Sequence, residues 1–179
     1  MKAHRKFARV LSGTIAMFTL LWGADRPAEA TAPLGVTFAV LNRATVPEFD
    51  ARRKFRREAE DTHHAPRSWK IELEATRMID VVAVLFTIQP GGHSGWHTHP
   101  GPALFTVSKG ALTMYEGDDP SCTPQLFPAG TGSIEAGTSG HSHLLRNETG
   151  SVAETIVTFL LPVGAPLRTD LPSPGNCPF

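Results

Sequence analysis

Glycine and histidine dominate the stretch Gly91-Gly92-His93-Ser94-Gly95-Trp96-His97-Thr98-His99. If its second half is a β-strand, His97 and His99 point to one face, because residues two apart on a strand share a face. Two imidazoles on one face can approach a transition metal at about 2.0–2.1 Å. Two ligands hold a metal poorly, and His141 and His143 lie in a later strand region that could supply a third. Paired histidines on a strand can also be satisfied core or rim residues.

Short strands are predicted on both sides of this stretch, because apolar residues recur there mostly with a period of two. Eight or nine of them, separated by turns, predict an all-β sandwich or barrel. The dipeptide Lys109-Gly110 predicts a tight hairpin, and the charged segment Pro47–Asp61 is compatible with a short helix. The predicted strands are Val36–Leu41, Trp69–Glu74, Val81–Ile88, Ala103–Ser108, Ala111–Glu116, 125–127, 133–135, 143–146 and Ala153–Leu161.

A second spaced motif follows the first. The first comprises Gly91, five residues, His97-x-His99 and then Gly110, and the second comprises Gly132, five residues, Thr138-Ser139-Gly140, two residues, His143, three residues and Asn147. Together they resemble the two motifs of the cupin superfamily, although Thr138 replaces the usual proline. The resemblance covers about residues 80–162. It implies a small jelly-roll barrel, often dimeric, with a metal in its mouth.

The resemblance implies a ligand set of His97, His99 and His143, with the remaining positions open to water or substrate. His143 is preferred to His141 because it alone fits the H-x-x-x-N spacing, and His141 could be a neighbouring group or a proton shuttle. Cupins usually add a glutamate three or four residues after the second histidine, where this chain has Ala103 and Leu104. A neutral ligand set leaves a divalent ion its full charge, which favours anionic substrates. The metal is expected to be Fe, Mn, Ni or Zn, although a cupin barrel can also hold a ligand without metal.

The surroundings of the site follow from strand parity. Ala103, Phe105 and Val107 are expected to face inward with the histidines and to form pocket walls. Tyr115 and Glu116 end a strand, and either could reach the barrel mouth as an acid or base. Three other side chains have less specific roles: Trp96 is expected to pack, His93 to lie at the surface, and the pair His63-His64 to be solvated.

Residues 1–30 have the pattern of a signal peptide. Four basic residues precede the uncharged segment Val10–Gly23, and Ala28-Glu29-Ala30 predicts cleavage after Ala30. An uncleaved anchor is the alternative, although the apolar segment is shorter than the roughly 20 residues that cross a membrane. We therefore expect a secreted or periplasmic protein without stable membrane insertion, whose residues 31–179 form a single domain.

The two cysteines, Cys122 and Cys177, lie in the exported part of the chain. An even number of cysteines in an oxidising compartment predicts a disulfide. Two free thiols are the alternative.

The charge balance of the chain argues against a polycationic surface that would bind nucleic acid. Residues 31–179 carry 12 basic and 15 acidic side chains, a net charge of −3, so no nucleic-acid partner is expected. The basic run 52–57 is followed by Glu58, Glu60 and Asp61, and is interpreted as a self-neutralising surface helix.

Three functions fit these observations. The first is an exported metalloenzyme that acts on a small organic substrate as a dioxygenase, isomerase or lyase. The second is a non-catalytic barrel that binds a small molecule or a metal. The third is a structural envelope protein with a vestigial site. The partner is expected to be a small molecule, with a homodimer as one assembly state.

Overall fold

The computed structural model describes residues 29–56, 68–135, 137 and 141–179, with side chains except at 52–56 and 68–71. Within these ranges the chain forms strands and no helix, so they hold no helical segment that could span a membrane. Residues 1–28 of the leader, His63-His64 and Thr138-Ser139-Gly140 lie outside the described residues. The strands are β1 (Leu34–Val46), β2 (Phe49–Arg56), β3 (Ser68–Ala75), β4 (Ile79–His93), β5 (His97–Thr98), β6 (Ala103–Lys109), β7 (Ala111–Glu116), β8 (Gln125–Pro128), β9 (Gly132–Glu135), β10 (His143–Arg146), β11 (Ala153–Pro162) and β12 (Thr169–Asp170).

Strand β4 is the centre of the barrel. It pairs antiparallel with β1 on one side and β11 on the other, and β11 continues through β6 to β9. The second half is built on β10, which pairs with β5 and β7 and meets β4 where Arg146 is opposite His93. Strand β8 extends β7, and β12 extends β5. These ten strands form one sheet that nearly closes into a barrel. The all-β jelly-roll prediction is confirmed.

The barrel core follows the predicted period of two. Along β6, Ala103, Phe105 and Val107 are buried while the residues between them are exposed. Alternate residues of β11, Phe159 among them, pack in the same core cluster with Val84 of β4. Burying such side chains contributes roughly 1.5–3 kcal/mol each. Because a one-residue slip would expose this whole set, the register of the strands is strongly specified.

The segment predicted as a helix is a strand over the part that is described. Residues Phe49–Arg56 form β2, which pairs antiparallel with β3 in a separate two-stranded sheet. The apolar residues Phe49, Ala51 and Phe55 all lie at odd positions, which is strand periodicity rather than a helical stripe. The register also places Arg52 opposite Glu72. These residues therefore form a strand, and the helix prediction was wrong for them.

The tight hairpin predicted at Lys109-Gly110 was also wrong. Strand β6 pairs with β9 and β11, whereas β7 pairs with β8 and β10. Gly110 has a φ of +72°, and a Cβ there would lie 2.9 Å from the Val152 carbonyl oxygen. The glycine thus turns the chain from one half of the barrel to the other. The turn signal was real, but a turn does not require its two flanking strands to pair.

The predicted disulfide between Cys122 and Cys177 is present. Beside it, the Asn176 side-chain amide donates to the backbone oxygens of Glu116 at 2.8 Å and Asp119 at 2.6 Å. The C-terminal tail is thereby fixed to the turn after β7.

Candidate metal centre

Three histidines are buried together where β5 meets β10. His97 begins β5, His99 follows its last residue, and His143 begins β10 opposite His97. Their exposed fractions are 4%, 4% and 2%. One ligand atom of each lies within 4.8 Å of those of the other two. The structure therefore brings together the three side chains predicted as ligands.

Backbone carbonyls orient two of these imidazoles. The Nδ1 of His97 lies 2.8 Å from the Gly95 oxygen, and the Nδ1 of His99 lies 2.7 Å from the Leu167 oxygen. A carbonyl oxygen only accepts hydrogen bonds, so each Nδ1 carries a proton. In the neutral imidazole the Nε2 then holds a free lone pair, which is the form that ligates a metal.

The glycine-rich turn before β5 sets this geometry. Gly95 has a φ of +72°, and a Cβ there would lie 2.1 Å from the Thr31 carbonyl oxygen. The Thr31 hydroxyl accepts a 2.7 Å hydrogen bond from the Trp96 amide. Trp96 itself is 1% exposed and packs with Tyr115 and Leu144, as predicted. The first motif is therefore held between the N-terminal segment and the second half of the barrel.

A carboxylate that the sequence analysis missed lies against the histidines. The Oε2 atom of Glu135 is 3.0 Å from the Nε2 of His99 and 3.2 Å from that of His143. Glu135 ends β9, where it is the register partner of Ala103. Ala103 and Leu104 offer no acid, as the sequence shows, but Glu135 places one beside the histidines, so the inference of a neutral site that favours anionic substrates loses its basis. Only the β6–β9 pairing, which the sequence does not reveal, singles out Glu135.

The charge states in the cluster suit a cation. Burial, followed by the nearby charges of His143 and Arg168, lowers the pKa of His97 well below its ordinary value. Burial acts to raise the pKa of Glu135, but hydrogen bonds from His143 and His99, and the positive charge that these rings carry when protonated, outweigh that effect and hold the pKa well below the ordinary value. A bound cation would take the place of those protons. A neutral imidazole and an ionised carboxylate are the forms that bind a divalent metal. The residues present therefore fit a metal ion.

Asn147, the last residue of the second motif, has a structural role. Its side-chain amide donates to the carbonyl oxygens of Ile88 and Ser151, both at 2.8 Å, and its side-chain oxygen accepts from the Thr149 hydroxyl at 2.7 Å. Asn147 is fully buried, so it fixes the turn after β10.

A second group of titratable residues lies beside the first. The Nε2 of His141 is 2.9 Å from Glu116, and its Nδ1 is 3.4 Å from Asp118. One ligand atom from each of Glu116, His141 and His143 also lies within 4.8 Å of the others. We call His141, Glu116 and Asp118 the outer cluster. Its contact with His143 is compatible with the neighbouring role predicted for His141.

The remaining predicted side chains lie outside the histidine cluster. Tyr115 is buried, and its hydroxyl donates to Glu148 at 2.9 Å. His93 is partly buried, and its Nδ1 accepts a 3.1 Å hydrogen bond from the Gly95 amide.

A cavity of about 290 Å³ opens onto His97, His99 and Glu135. Its apolar walls come mainly from β1, β4 and β11, and include Phe86, Val157 and Phe159. Ala103, Phe105 and Val107 face inward as predicted, but they belong to the packed core and do not line this cavity.

Comparisons with known proteins agree with this geometry. The nearly closed antiparallel barrel is the fold that the resemblance to cupins implied. Residues 84–159 match the family model described as "Cupin domain". The chain therefore contains a cupin domain, and the resemblance is confirmed. A search of curated proteins finds no match.

Several solved structures are similar to parts of the chain. An uncharacterised double-stranded β-helix protein from Klebsiella pneumoniae is 21% identical over 50% of this chain and 73% of its own, with a TM-score of 0.42. The polyketide cyclase RemF from Streptomyces resistomycificus is 16% identical over 51% and 60%, with a TM-score of 0.43. The cupin domain of an XRE family transcriptional regulator from Enterobacter cloacae is 19% identical over 46% and 82%, with a TM-score of 0.38. At these values the similarities do not bear on function.

Proposed function

We propose that this protein is an exported metalloenzyme that binds one divalent transition metal, Fe, Mn, Ni or Zn, through His97, His99 and His143. The observation that carries the proposal is the apolar cavity that leads to two of these histidines. Its volume is near the lower end of the ~300–1,000 Å³ typical of small-molecule sites. A bound ion would supply Lewis-acid or redox chemistry to a small, mainly apolar organic molecule.

The chain's own residues would position the substrate and exclude water. Phe86, Val157 and Phe159 offer apolar surface, while the carbonyls of Gly95 and Leu167 keep the Nε2 atoms of His97 and His99 turned away from the backbone. Arg168 lies at the cavity and is paired with Asp170. The cavity therefore selects for an apolar body rather than for a strongly charged molecule.

Export is part of the same proposal. The Cys122–Cys177 disulfide supports an oxidising compartment, and cleavage after Ala30 would leave Thr31 as the first residue. N-terminal sequencing of the exported protein tests this. A sequence that begins at Met1 would contradict it. The boundaries 31–179 and a homodimer remain predictions of the same kind.

Elemental analysis of the exported protein, purified without a histidine tag, tests the metal site. We expect near one equivalent of a single transition metal, and its loss in the variant His97→Ala/His99→Ala. Substoichiometric metal in both proteins, even after reconstitution, would contradict the metalloenzyme proposal and leave a binding or structural barrel.

A non-catalytic binding barrel is the second candidate. Two polar groups that line the cavity, the hydroxyls of Ser94 and Thr155, already donate to the carbonyls of Gly95 and Thr106. Because their protons are engaged in this way, they are poorly placed to act as acids on a bound molecule, which favours binding without catalysis. Oxygen consumption by the Fe(II)-loaded protein, screened over small apolar substrates, distinguishes oxygenase chemistry from binding. Saturable substrate binding without turnover would favour the barrel that only binds.

A further inference from the structure

We propose that Glu135 is a fourth metal ligand, which β9 supplies from across a strand pair instead of from the first motif. This inference deepens the proposed function and rests on the metal site described there. It assigns a ligand to a residue at one of the five unspecified positions between Gly132 and Thr138 of the second motif.

The register of β6 and β9 gives the positional basis. Ala103, the residue that stands where the resemblance would place a glutamate, is directly opposite Glu135. Side chains opposite each other on antiparallel strands lie on one face, with Cβ atoms about 4.5–5.5 Å apart. Ala103 is fully buried and Glu135 is 6% exposed. A carboxylate at 135 can therefore serve the same side of the barrel as one at 103.

The hydrogen-bonding inventory gives the chemical basis. Because the Nδ1 of His99 donates to Leu167, the Nε2 of neutral His99 is an acceptor, and it lies 3.0 Å from the Glu135 Oε2, which is also an acceptor. The Nε2 atoms of His99 and His143 are themselves only 3.2 Å apart. The facing lone pairs of the His99 Nε2 and the Glu135 Oε2 repel at 3.0 Å, and one cation between them would satisfy both.

The second carboxylate oxygen of Glu135 supports the same assignment. It is buried and has no hydrogen-bond partner among the described residues. Most buried side-chain oxygens in proteins have such a partner, and a site for an ion is one reason for an exception. In the alternative, Glu135 is only an ion-pair partner of a protonated His99 and needs no metal. That ion pair would involve Oε2 and would leave Oε1 without a partner.

The test compares Glu135→Gln with the control Glu154→Gln. The control removes the same charge from a residue that is paired with Lys109 outside the cavity. Co(II) is titrated into each metal-free protein, and its affinity is measured by competition against a chelator. Its visible absorption bands report the ligand field. We expect Glu135→Gln to weaken Co(II) binding by roughly 10- to 100-fold, a range in which even outer-shell partners fall, and to shift the bands. Glu154→Gln should match the unmodified protein.

The outcomes separate the two levels of the proposal. Equal affinity and equal spectra in Glu135→Gln and the unmodified protein would overturn the ligand role while leaving the three-histidine site intact. Failure of the unmodified protein to bind Co(II) would overturn the proposed function itself. Thermal unfolding of the metal-free proteins identifies a purely structural role, in which Glu135→Gln loses stability but keeps its Co(II) affinity.

Placing a carboxylate at position 103 of β6 tests whether positions 103 and 135 are equivalent for metal binding. We expect Ala103→Glu/Glu135→Ala to bind Co(II) more tightly than Glu135→Ala alone. Binding no tighter than that of the single variant would contradict the equivalence of the two positions.

Discussion

His141 and His143 are separated by one residue but lie in different surroundings. His143 is buried with His97, His99 and Glu135, whereas His141 is partly exposed between Glu116 and Asp118. In the buried cluster, carbonyls hold the Nδ1 protons of two rings and leave Nε2 lone pairs facing inward. In the outer cluster, both nitrogens of His141 face carboxylate oxygens.

This difference determines which ion each cluster suits. Inward lone pairs together with a carboxylate favour a divalent metal. In the outer cluster, both nitrogens of His141 are instead taken up by the carboxylates of Glu116 and Asp118. The same residue types are therefore arranged as metal ligands in one cluster and as ion-pair partners in the other.

Loss of the disulfide is expected to have the largest effect among these tests. It should lower the free energy of unfolding and leave the metal affinity of the buried cluster unchanged. The disulfide ties the tail to the turn beside Asp118 and Asp119, and it packs with Trp96, Tyr115 and Leu144. Closing a 55-residue separation contributes about 4 kcal/mol by restricting the unfolded chain. We expect Cys122→Ser/Cys177→Ser to lose about that free energy of unfolding, measured by chemical denaturation.

Metal affinity is the control for this prediction. The folded double variant should bind Co(II) as tightly as the unmodified protein, because its buried ligands are unchanged. An unchanged free energy of unfolding, or a large loss of affinity in the folded variant, would contradict the separation of the two regions.

Histidine replacements test the comparison directly. His143→Ala removes a proposed ligand, and we expect Co(II) affinity to fall by about 100-fold, the upper end of what an outer-shell loss causes. His141→Ala removes only a neighbour, and affinity should stay unchanged. Competition titration measures both. Equal losses in the two variants would mean that the outer cluster also holds the metal.

The sequence predicted the three histidines because their placement is a local property. Parity on one strand aligns His97 with His99, and the resemblance to the second cupin motif, which ends at Asn147, selects His143 over His141. The inward positions of Ala103, Phe105 and Val107 follow from the same local alternation. Each of these predictions needed only a short window of sequence.

Glu135 could not be predicted in this way, because its role depends on which strand lies beside β6. That pairing joins residues about thirty positions apart, and the local pattern of β9 is equally compatible with another neighbour. The hairpin error at Lys109-Gly110 has the same origin, since a turn signal does not identify the partner strand. At Phe49–Arg56 the many charged residues led to a helix prediction, although the apolar residues recur with a period of two. The segment is a strand because it pairs with β3, and the sequence does not reveal that partner.

Glu116 provides the smallest and most specific test of the outer cluster. Burial raises the pKa of Glu116 above its ordinary value of 4.5, and the charges of His141 and His143 oppose that rise. A carboxyl with a raised folded-state pKa binds more protons in the folded than in the unfolded state. Its contribution to stability is therefore greatest below about pH 4.5 and decreases as the pH rises through the folded-state pKa.

We expect the Glu116→Gln variant to lack this decrease. The unfolding free energies of the two metal-free proteins, measured from pH 4 upward, should differ most in favour of the unmodified protein at the acid end, with a gap that narrows as the pH rises. Metal-free protein is required because metal binding has its own pH dependence. Glu154→Gln is the matched control and should follow the unmodified protein throughout. Parallel curves for Glu116→Gln and the unmodified protein would mean that Glu116 is solvated like a surface carboxyl. The difference between the outer cluster and the buried cluster would then rest on the buried histidines alone.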